Sequence, residues 1–178
     1  TQLGLYSYVG PKTVTGTFGI ALLSKYPIRN PKTFYMTSEG EQTATIEAEI
    51  VIGKRTFHVF VTHLGNYVNT SVGRSQIIKQ EEILERVEGK ENVILMGDFN
   101  FRPNTEQYDI TVQELRDSWL ITESRRVGNV PKGWEARLPE KRIDHVFVSP
   151  GITISRCEYL GGSQSDHPAL LVEIPLRS

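Results

Sequence analysis

The sequence predicts an α+β domain built as a layered sandwich, and three observations carry that reading. Seven strand-like segments stand against two with helical spacing. Several of the strand-like segments are short, nearly continuous apolar runs, the pattern of strands covered on both faces. No repeat, low-complexity run or linker divides the chain, so residues 1–178 read as a single domain.

The strand-like segments are 19–24, 43–52, 56–63, 92–97, 142–148, 152–159 and 169–174. Val51-Ile52-Gly53-Lys54-Arg55-Thr56 predicts a tight hairpin between the second and third, because Gly53 can take a positive φ. In the second, Thr45, Glu47 and Glu49 alternate with Ile46, Ala48 and Ile50, as in a half-exposed strand. Helical spacing begins after the candidate caps Thr70 and Ser71, where Ile77, Ile78, Leu84 and Val87 share a face and Gly89 supplies a stop. After Thr105, the residues Tyr108, Val112, Leu115 and Trp119 form a second stripe, whose ordinary meaning is core packing. The longest irregular region, 124–141, carries Arg125, Arg126, Lys132, Arg137 and Lys141 against Glu135 and Glu140. It reads either as solvated loop charge or as a basic lid facing phosphate.

Bulk properties exclude several classes. With 178 residues, 38% of them hydrophobic and 23% charged, the chain is long enough to bury a core without staples. Its 20 basic and 21 acidic residues leave no general attraction to nucleic acid or to anionic membrane. A single cysteine, Cys157, excludes an internal disulfide framework and the Cys-rich zinc sites, and is compatible with either redox compartment. No stretch approaches the length of an apolar membrane span. The compartment, cytoplasmic or extracytoplasmic, stays open.

The chemistry-bearing residues gather at strand ends. Val93-Ile94-Leu95-Met96 is followed by Gly97-Asp98-Phe99-Asn100, where glycine lets the backbone turn and two oxygen-bearing side chains, two residues apart, should project to one side of an extended segment. A carboxylate and an amide so placed can orient a water and a phosphoryl oxygen or share a hard cation. They also suit a plain Asx turn. His63 ends a strand-like run, a place where a lone histidine is more often structural. Asp144 lies inside Arg142-Ile143-Asp144-His145-Val146, where an unpaired carboxylate is costly, so it requires a partner: a cation such as Arg142, or an imidazole. Asp166 and His167 precede Pro168, which favours extended backbone at His167 and so sends the two side chains apart. Together these meet the needs of metal-assisted phosphoester hydrolysis.

In order, Gly19-Ile20-Ala21-Leu22-Leu23-Ser24-Lys25-Tyr26-Pro27-Ile28, Val61-Thr62-His63-Leu64, Met96-Gly97-Asp98-Phe99-Asn100, Arg142-Ile143-Asp144-His145 and Ser165-Asp166-His167 resemble the endonuclease/exonuclease/phosphatase (DNase I-like) superfamily over essentially the whole chain. The resemblance implies a four-layer αββα sandwich of two packed mixed sheets and hydrolysis of a phosphoester with Mg²⁺ or Mn²⁺. It implies His167 as general base paired with Asp144, and Asp166 with Asp98 at the metal. Asp98 and Asn100 would position nucleophile and phosphate, while His63, Asn100 and Arg142 would bind substrate. Expected substrates are nucleic acid, nucleotide, phospholipid or inositol phosphate. A zinc hydrolase built on His63 and His167 fits the oxygen-rich set less well.

A narrower resemblance joins Leu5-Tyr6-Ser7-Tyr8-Val9-Gly10-Pro11, Ser24-Lys25-Tyr26-Pro27-Ile28, Ser38-Glu39-Gly40-Glu41 and His63-Leu64-Gly65-Asn66 to the C-terminal domain of proteins that remodel glycosylphosphatidylinositol anchors. It implies tethering to a membrane region. One departure counts against catalysis: members of the superfamily open with an Asn-bearing strand and a strand ending in Gln-Glu, and nothing before Gly19 matches these. The N-terminal strands and helix of the sandwich are therefore expected to be missing here or supplied by another chain. The rival expectation is a noncatalytic module that binds a phosphorylated ligand or a protein through the same cleft.

Overall fold

The computed structural model describes residues 5–11, 19–37, 42–65, 70–122, 124–128, 130, 138, 140–161 and 165–176. At its centre is a mixed sheet of six strands: Ile28–Tyr35 (β3), Ala44–Ile52 (β4), Arg55–His63 (β5), Val93–Asp98 (β6), Arg116–Asp117 (β7) and Asp144–Val148 (β9). Their order across the sheet is β3-β4-β5-β6-β9-β7. β4 and β5 form the predicted hairpin, in which Ile52 faces Arg55 and Gly53 takes φ +61°. β5 and β6 run parallel. A parallel pair needs a long crossover, and helix α1, Thr70–Val87, supplies it.

Side-chain alternation assigns each face of this sheet to its own core. On one face, Phe60 of β5, Val93 and Leu95 of β6 and Phe147 of β9 pack with Ile83 and Val87 of α1 and with Tyr108 of helix α2, Glu106–Glu114. On the other, Phe57, Val59, Val146 and Val148 meet a second layer of strands. That layer comprises the pair β1 (Tyr6–Pro11) and β2 (Gly19–Ser24), and a three-stranded mixed sheet. The three strands are Arg125–Val127 (β8), Arg156–Leu160 (β10) and Ala169–Glu173 (β11), with β10 in the middle. Two packed mixed sheets with helices on an outer face match the predicted class. Among the described residues no second helical layer covers the far sheet. No described helix is long and apolar enough to cross a membrane.

Three sequence expectations need correction. The stripe Tyr108, Val112, Leu115, Trp119 is not one helix. α2 ends at Glu114, Leu115 turns extended at φ −123° and ψ 164°, and Arg116–Asp117 joins the sheet beside β9. Trp119 then lies in the short helix α3, Ser118–Ile121, whose first turn is capped by the Asp117 carboxylate accepting from Trp119 N at 2.9 Å. Tyr108 and Leu115 thus serve the helix-side core, Trp119 the inter-sheet core, and Val112 is exposed. Second, β3 has no counterpart among the seven predicted segments. It is an edge strand holding Pro31, with a register shift between Arg29 and Lys32 and Asn30 at φ 49°, so it lacks an apolar run. Third, the basic region contains β8, whose Arg125 and Arg126 are exposed beside β10. Lys132, Glu135 and Arg137 lie outside the described residues.

Candidate active site

Register brings the site together. His63 at the end of β5 pairs with Asp98 at the end of parallel β6, and Asp98 pairs with Asp144 at the start of antiparallel β9. Three residues far apart in sequence therefore form one row across the edge of the sheet. His167 arrives just before β11 in the other layer, its backbone N–H donating to Ser165 Oγ at 3.0 Å. Pro168, between it and β11, is buried and anchors this approach. Tyr159 on β10 donates its hydroxyl to the Asp144 carbonyl at 2.8 Å, tying the second layer to the row.

Gly97 makes the approach to Asp98 possible. Its φ is +147°, and a Cβ there would lie 1.9 Å from the Thr62 carbonyl oxygen of β5. Any side chain would push the two parallel strands apart at the point where they deliver His63 and Asp98.

Beyond Asp98 the chain turns rather than staying extended. Asp98 Oδ1 accepts from Asn100 N at 2.9 Å, and Asn100 takes φ 53°. This is the Asx turn that the Asp-X-Asn spacing also allowed, so the two side chains do not project in parallel. Asn100 instead reaches sideways, donating through Nδ2 to the Leu64 carbonyl at 2.7 Å, while Leu64 N donates to the Asp98 carbonyl at 3.0 Å. The β5 and β6 exits are thus laced together. Buried Phe99 and Phe101, with His145 ring-stacked on Phe101, fix this turn from below.

The second carboxylate oxygen of Asp98 lies 3.4 Å from His63 Nε2 and 4.0 Å from His167 Nδ1. His167 Nδ1 is 2.9 Å from Asp144 Oδ2. All four side chains are part-buried, so they are partly withdrawn from water yet reachable. Burial, then the charge of Asp98, pushes the Asp144 carboxyl up to about 6, with His167 opposing that rise. At His167 burial works against the imidazolium, but Asp144, Asp98 and Asp166 outweigh it and raise the ring above its ordinary value.

Asp98, Asp144 and His167 offer two oxygens and one nitrogen within 4.8 Å of one another, a set able to hold a cation. Its predominance of carboxylate oxygen suits Mg²⁺ or Mn²⁺. The hydrogen bond between Asp144 and His167 occupies those two with each other, which favours the Asp98 side for a metal. Asp166 is exposed and stands outside this group of three, although its charge acts on both Asp144 and His167.

Arg142 does not join the row of His63, Asp98 and Asp144. Its guanidinium is almost wholly buried, paired with Asp117 and 3.4 Å from the Tyr108 hydroxyl, which itself donates to Asp117 Oδ2 at 2.7 Å. Asp117 of β7, a neighbour of β9 in the sheet, receives that guanidinium inside the fold. Sequence reasoning passed over Asp117 and His145. Asp117 carried no motif, and only its place next to an apolar stripe hinted at burial. His145, whose Nε2 lies 3.1 Å from the Phe101 carbonyl, follows Asp144 in its motif, and nothing in the sequence marks it as buried.

A model of the Endonuclease/Exonuclease/phosphatase family matches residues 1–167. Among solved structures, a mannosyl-6-phosphatase from Bacteroides thetaiotaomicron superposes with a TM-score of 0.79 at 21% identity, over 97% of this chain and 78% of that one. A family protein from the same organism gives 0.80 at 19% identity, over 97% and 75%. The human nocturnin catalytic domain with bound sulfate gives 0.73 at 17% identity, over 98% and 74%. At these identities the superpositions speak for the fold, and the fold, the register of the row and the matched span agree: the chain belongs to the endonuclease/exonuclease/phosphatase family.

Proposed function

We propose that the chain is a Mg²⁺- or Mn²⁺-dependent phosphoesterase in which His167, held by Asp144, takes the proton from the attacking water. The observation that carries this reading is the 2.9 Å contact between His167 Nδ1 and Asp144 Oδ2 at the end of the His63–Asp98–Asp144 row. A carboxylate on Nδ1 selects the tautomer whose lone pair is on Nε2, the arrangement a general base needs. Three nearby carboxylates then stabilise the imidazolium that forms. As the water oxygen bonds to phosphorus and the ester P–O bond breaks, His63 donates to a phosphoryl oxygen and Asn100 positions the group. Asp98 and Asp166 would hold the cation, which polarises the phosphoryl group and stabilises the leaving oxygen when bound.

The near-neutral chain lacks the charge for strong general nucleic-acid affinity, so recognition is local to the site. Nucleotide, phospholipid, inositol phosphate and sugar phosphate all present the required ester. A tether to a membrane region, implied by the narrower resemblance, would favour the phospholipid. Hydrolysis of bis-(p-nitrophenyl) phosphate and p-nitrophenyl phosphate is measured with Mg²⁺, Mn²⁺ and chelator, and then that of phospholipid vesicles and of inositol and mannose phosphates. The expected result is metal-dependent release, lost by a factor of about 10³ or more in His167→Ala and Asp98→Ala with unchanged circular dichroism. Turnover that survives both substitutions refutes the mechanism. Saturable phosphate binding without turnover would instead favour the noncatalytic module.

A further inference from the structure

The pairing of β5 with β6 ends at His63 and Asp98, and the next two residues, Leu64 and Gly65, lie outside every described strand. Both are buried. A buried carbonyl that has left its sheet must find a donor elsewhere. The Leu64 carbonyl accepts from Asn100 Nδ2 at 2.7 Å. The Gly65 carbonyl accepts from Gln76 Nε2, on helix α1, at 2.8 Å. Gln76 in turn accepts through Oε1 from Gln107 Nε2, in the first turn of α2, at 3.0 Å. With Gln76 4% exposed and Gln107 8%, this side-chain relay runs inside the helical layer and reaches the strand end that carries His63.

We propose that Gln76, steadied by Gln107, is a positioning residue for His63 and acts through the Gly65 carbonyl. The inference rests on the role given to His63 in the function proposed above. Each of the peptide groups that follow His63 is held in succession: the Leu64 N–H by the Asp98 carbonyl at 3.0 Å, the Leu64 carbonyl by Asn100 and the Gly65 carbonyl by Gln76. The first two holds come from the β6 exit itself, so they shift whenever that exit shifts. Gln76 instead ties the turn to α1, and Gln107 ties α1 to α2. Glutamine suits the task because its amide donates and accepts at once: with Oε1 turned to Gln107, Nε2 is left facing Gly65. Buried from water, the relay keeps these bonds without competition from solvent. The backbone at His63 is thereby fixed, and its Nε2 stays 3.4 Å from Asp98 Oδ2, in line with the row. A group placed this way loses effect steeply when its anchor slackens, since small displacements matter in a reacting geometry.

One arm of the test needs no turnover. Amide exchange followed by NMR on the 178-residue chain reads the Leu64 N–H at the clamp. Gln76→Met should lower its protection by about 10-fold while Val59 and Phe60, within β5, are unchanged. Gln107→Met keeps the Gly65 bond but removes its support, so it should lower the same protection by a smaller factor, and it serves where Gln76→Met fails to fold by circular dichroism. The second arm is hydrolysis of bis-(p-nitrophenyl) phosphate with Mn²⁺. There Gln76→Met should lower kcat by about 10- to 100-fold and leave KM within about twofold. In a His63→Ala background the same substitution should change kcat by less than about twofold, because the group it positions is gone. Unchanged Leu64 protection in both glutamine variants overturns the clamp, whatever the turnover. An equal kcat loss with and without His63 overturns its action through that residue. Full turnover of His63→Ala, with Leu64 protection still lost in Gln76→Met, marks instead the failure of the proposed function at His63 and not of the clamp.

Discussion

Two carboxylates, Asp144 at the start of β9 and Asp117 on the neighbouring β7, meet opposite surroundings. Asp144 faces His167 at a part-exposed edge, with Asp98 4.0 Å from the same ring nitrogen and Asp166 adding further negative charge. Asp117 lies inside, its carboxylate shared among the Arg142 guanidinium, the Tyr108 hydroxyl and the Trp119 backbone N–H. Both are acid–base pairs, but the first joins an imidazole to a carboxyl held near 6, whereas the second joins a carboxylate to a guanidinium. A guanidinium presents its donors in a fixed fork, and the buried Asp117 accepts from three donors inside the fold. The outer pair carries an excess of negative charge that a proton or a cation can relieve. On the function proposed above, the contrast separates a pair that exchanges protons from one that holds the segment entering β9.

The most severe way to break the comparison is to unpair the inner site. Arg142→Ala leaves a buried carboxylate with only neutral donors and should cost about 3–5 kcal/mol by denaturant unfolding. Asp117→Leu combined with Arg142→Met should recover much of that loss, because it removes both charges. A variant that loses activity while keeping wild-type stability would return Arg142 to the substrate site.

Acid probes the same interior from another direction. His145 is buried against Phe99, Phe101 and Phe147, and burial lowers its ring to about 4 from the ordinary 6.5, although Asp117 and the Phe101 carbonyl oppose that fall. Between those values the unfolded chain binds the proton and the folded one does not, so stability is present above 6.5 and lost as pH falls toward 4. The loss should reach about 3 kcal/mol. Asp144 has the opposite sign: its raised carboxyl contributes stability at acid pH that is lost as pH rises through about 6. Urea titrations at about pH 7 and about pH 4.5 on the wild type and His145→Phe separate the two. Removing the His145 loss leaves the Asp144 gain, so the stability of the variant relative to the wild type should rise by about 2 kcal/mol between the higher and the lower pH, and equal pH slopes in both proteins would contradict the assignment.

Asp144→Asn tests the outer pair. The charge of Asp144 is disfavoured by burial and by Asp98, so removing it should change stability by less than about 1 kcal/mol. The catalytic loss should nevertheless be on the order of 100-fold, because the amide no longer fixes the base tautomer of His167 or stabilises its imidazolium. Full turnover in this variant would leave Asp144 as scaffold, and the two carboxylates would then differ only in exposure.

The difference between the pairs also marks what the sequence made legible. The strand ends carrying His63, Asp98 and Asp144 were readable because apolar runs stop abruptly at residues whose charge cannot be buried unpaired. Gly97 was readable as a turn, although its clash with Thr62 depends on a parallel neighbour that sequence does not display. The burial of Arg142 is not legible in the sequence because its partner Asp117 lies 25 residues away in β7, a two-residue strand with no pattern of its own. The same short strand interrupted the helical stripe. Asn100 lies beside Asp98, as the spacing implies, but on a turned rather than an extended backbone, since an Asx turn and a paired ligand set share one spacing.

Tyr108→Phe is the mildest challenge to the comparison. It removes one donor from Asp117 without changing any charge or much volume. Burial and the Asp117 charge push the phenol well above its ordinary range, so it stays protonated and donating across all accessible pH. The lost bond to a charged acceptor should cost about 1–2 kcal/mol, with no shift in the pH dependence of turnover. Its ring would still pack against His145 and Phe147, so the helix-side core is retained. A displaced pH–rate profile would show that the inner network reaches His167 through β9. In that case Asp117 and Asp144 would belong to one coupled set of charges, and their apparent division of labour would be a matter of degree.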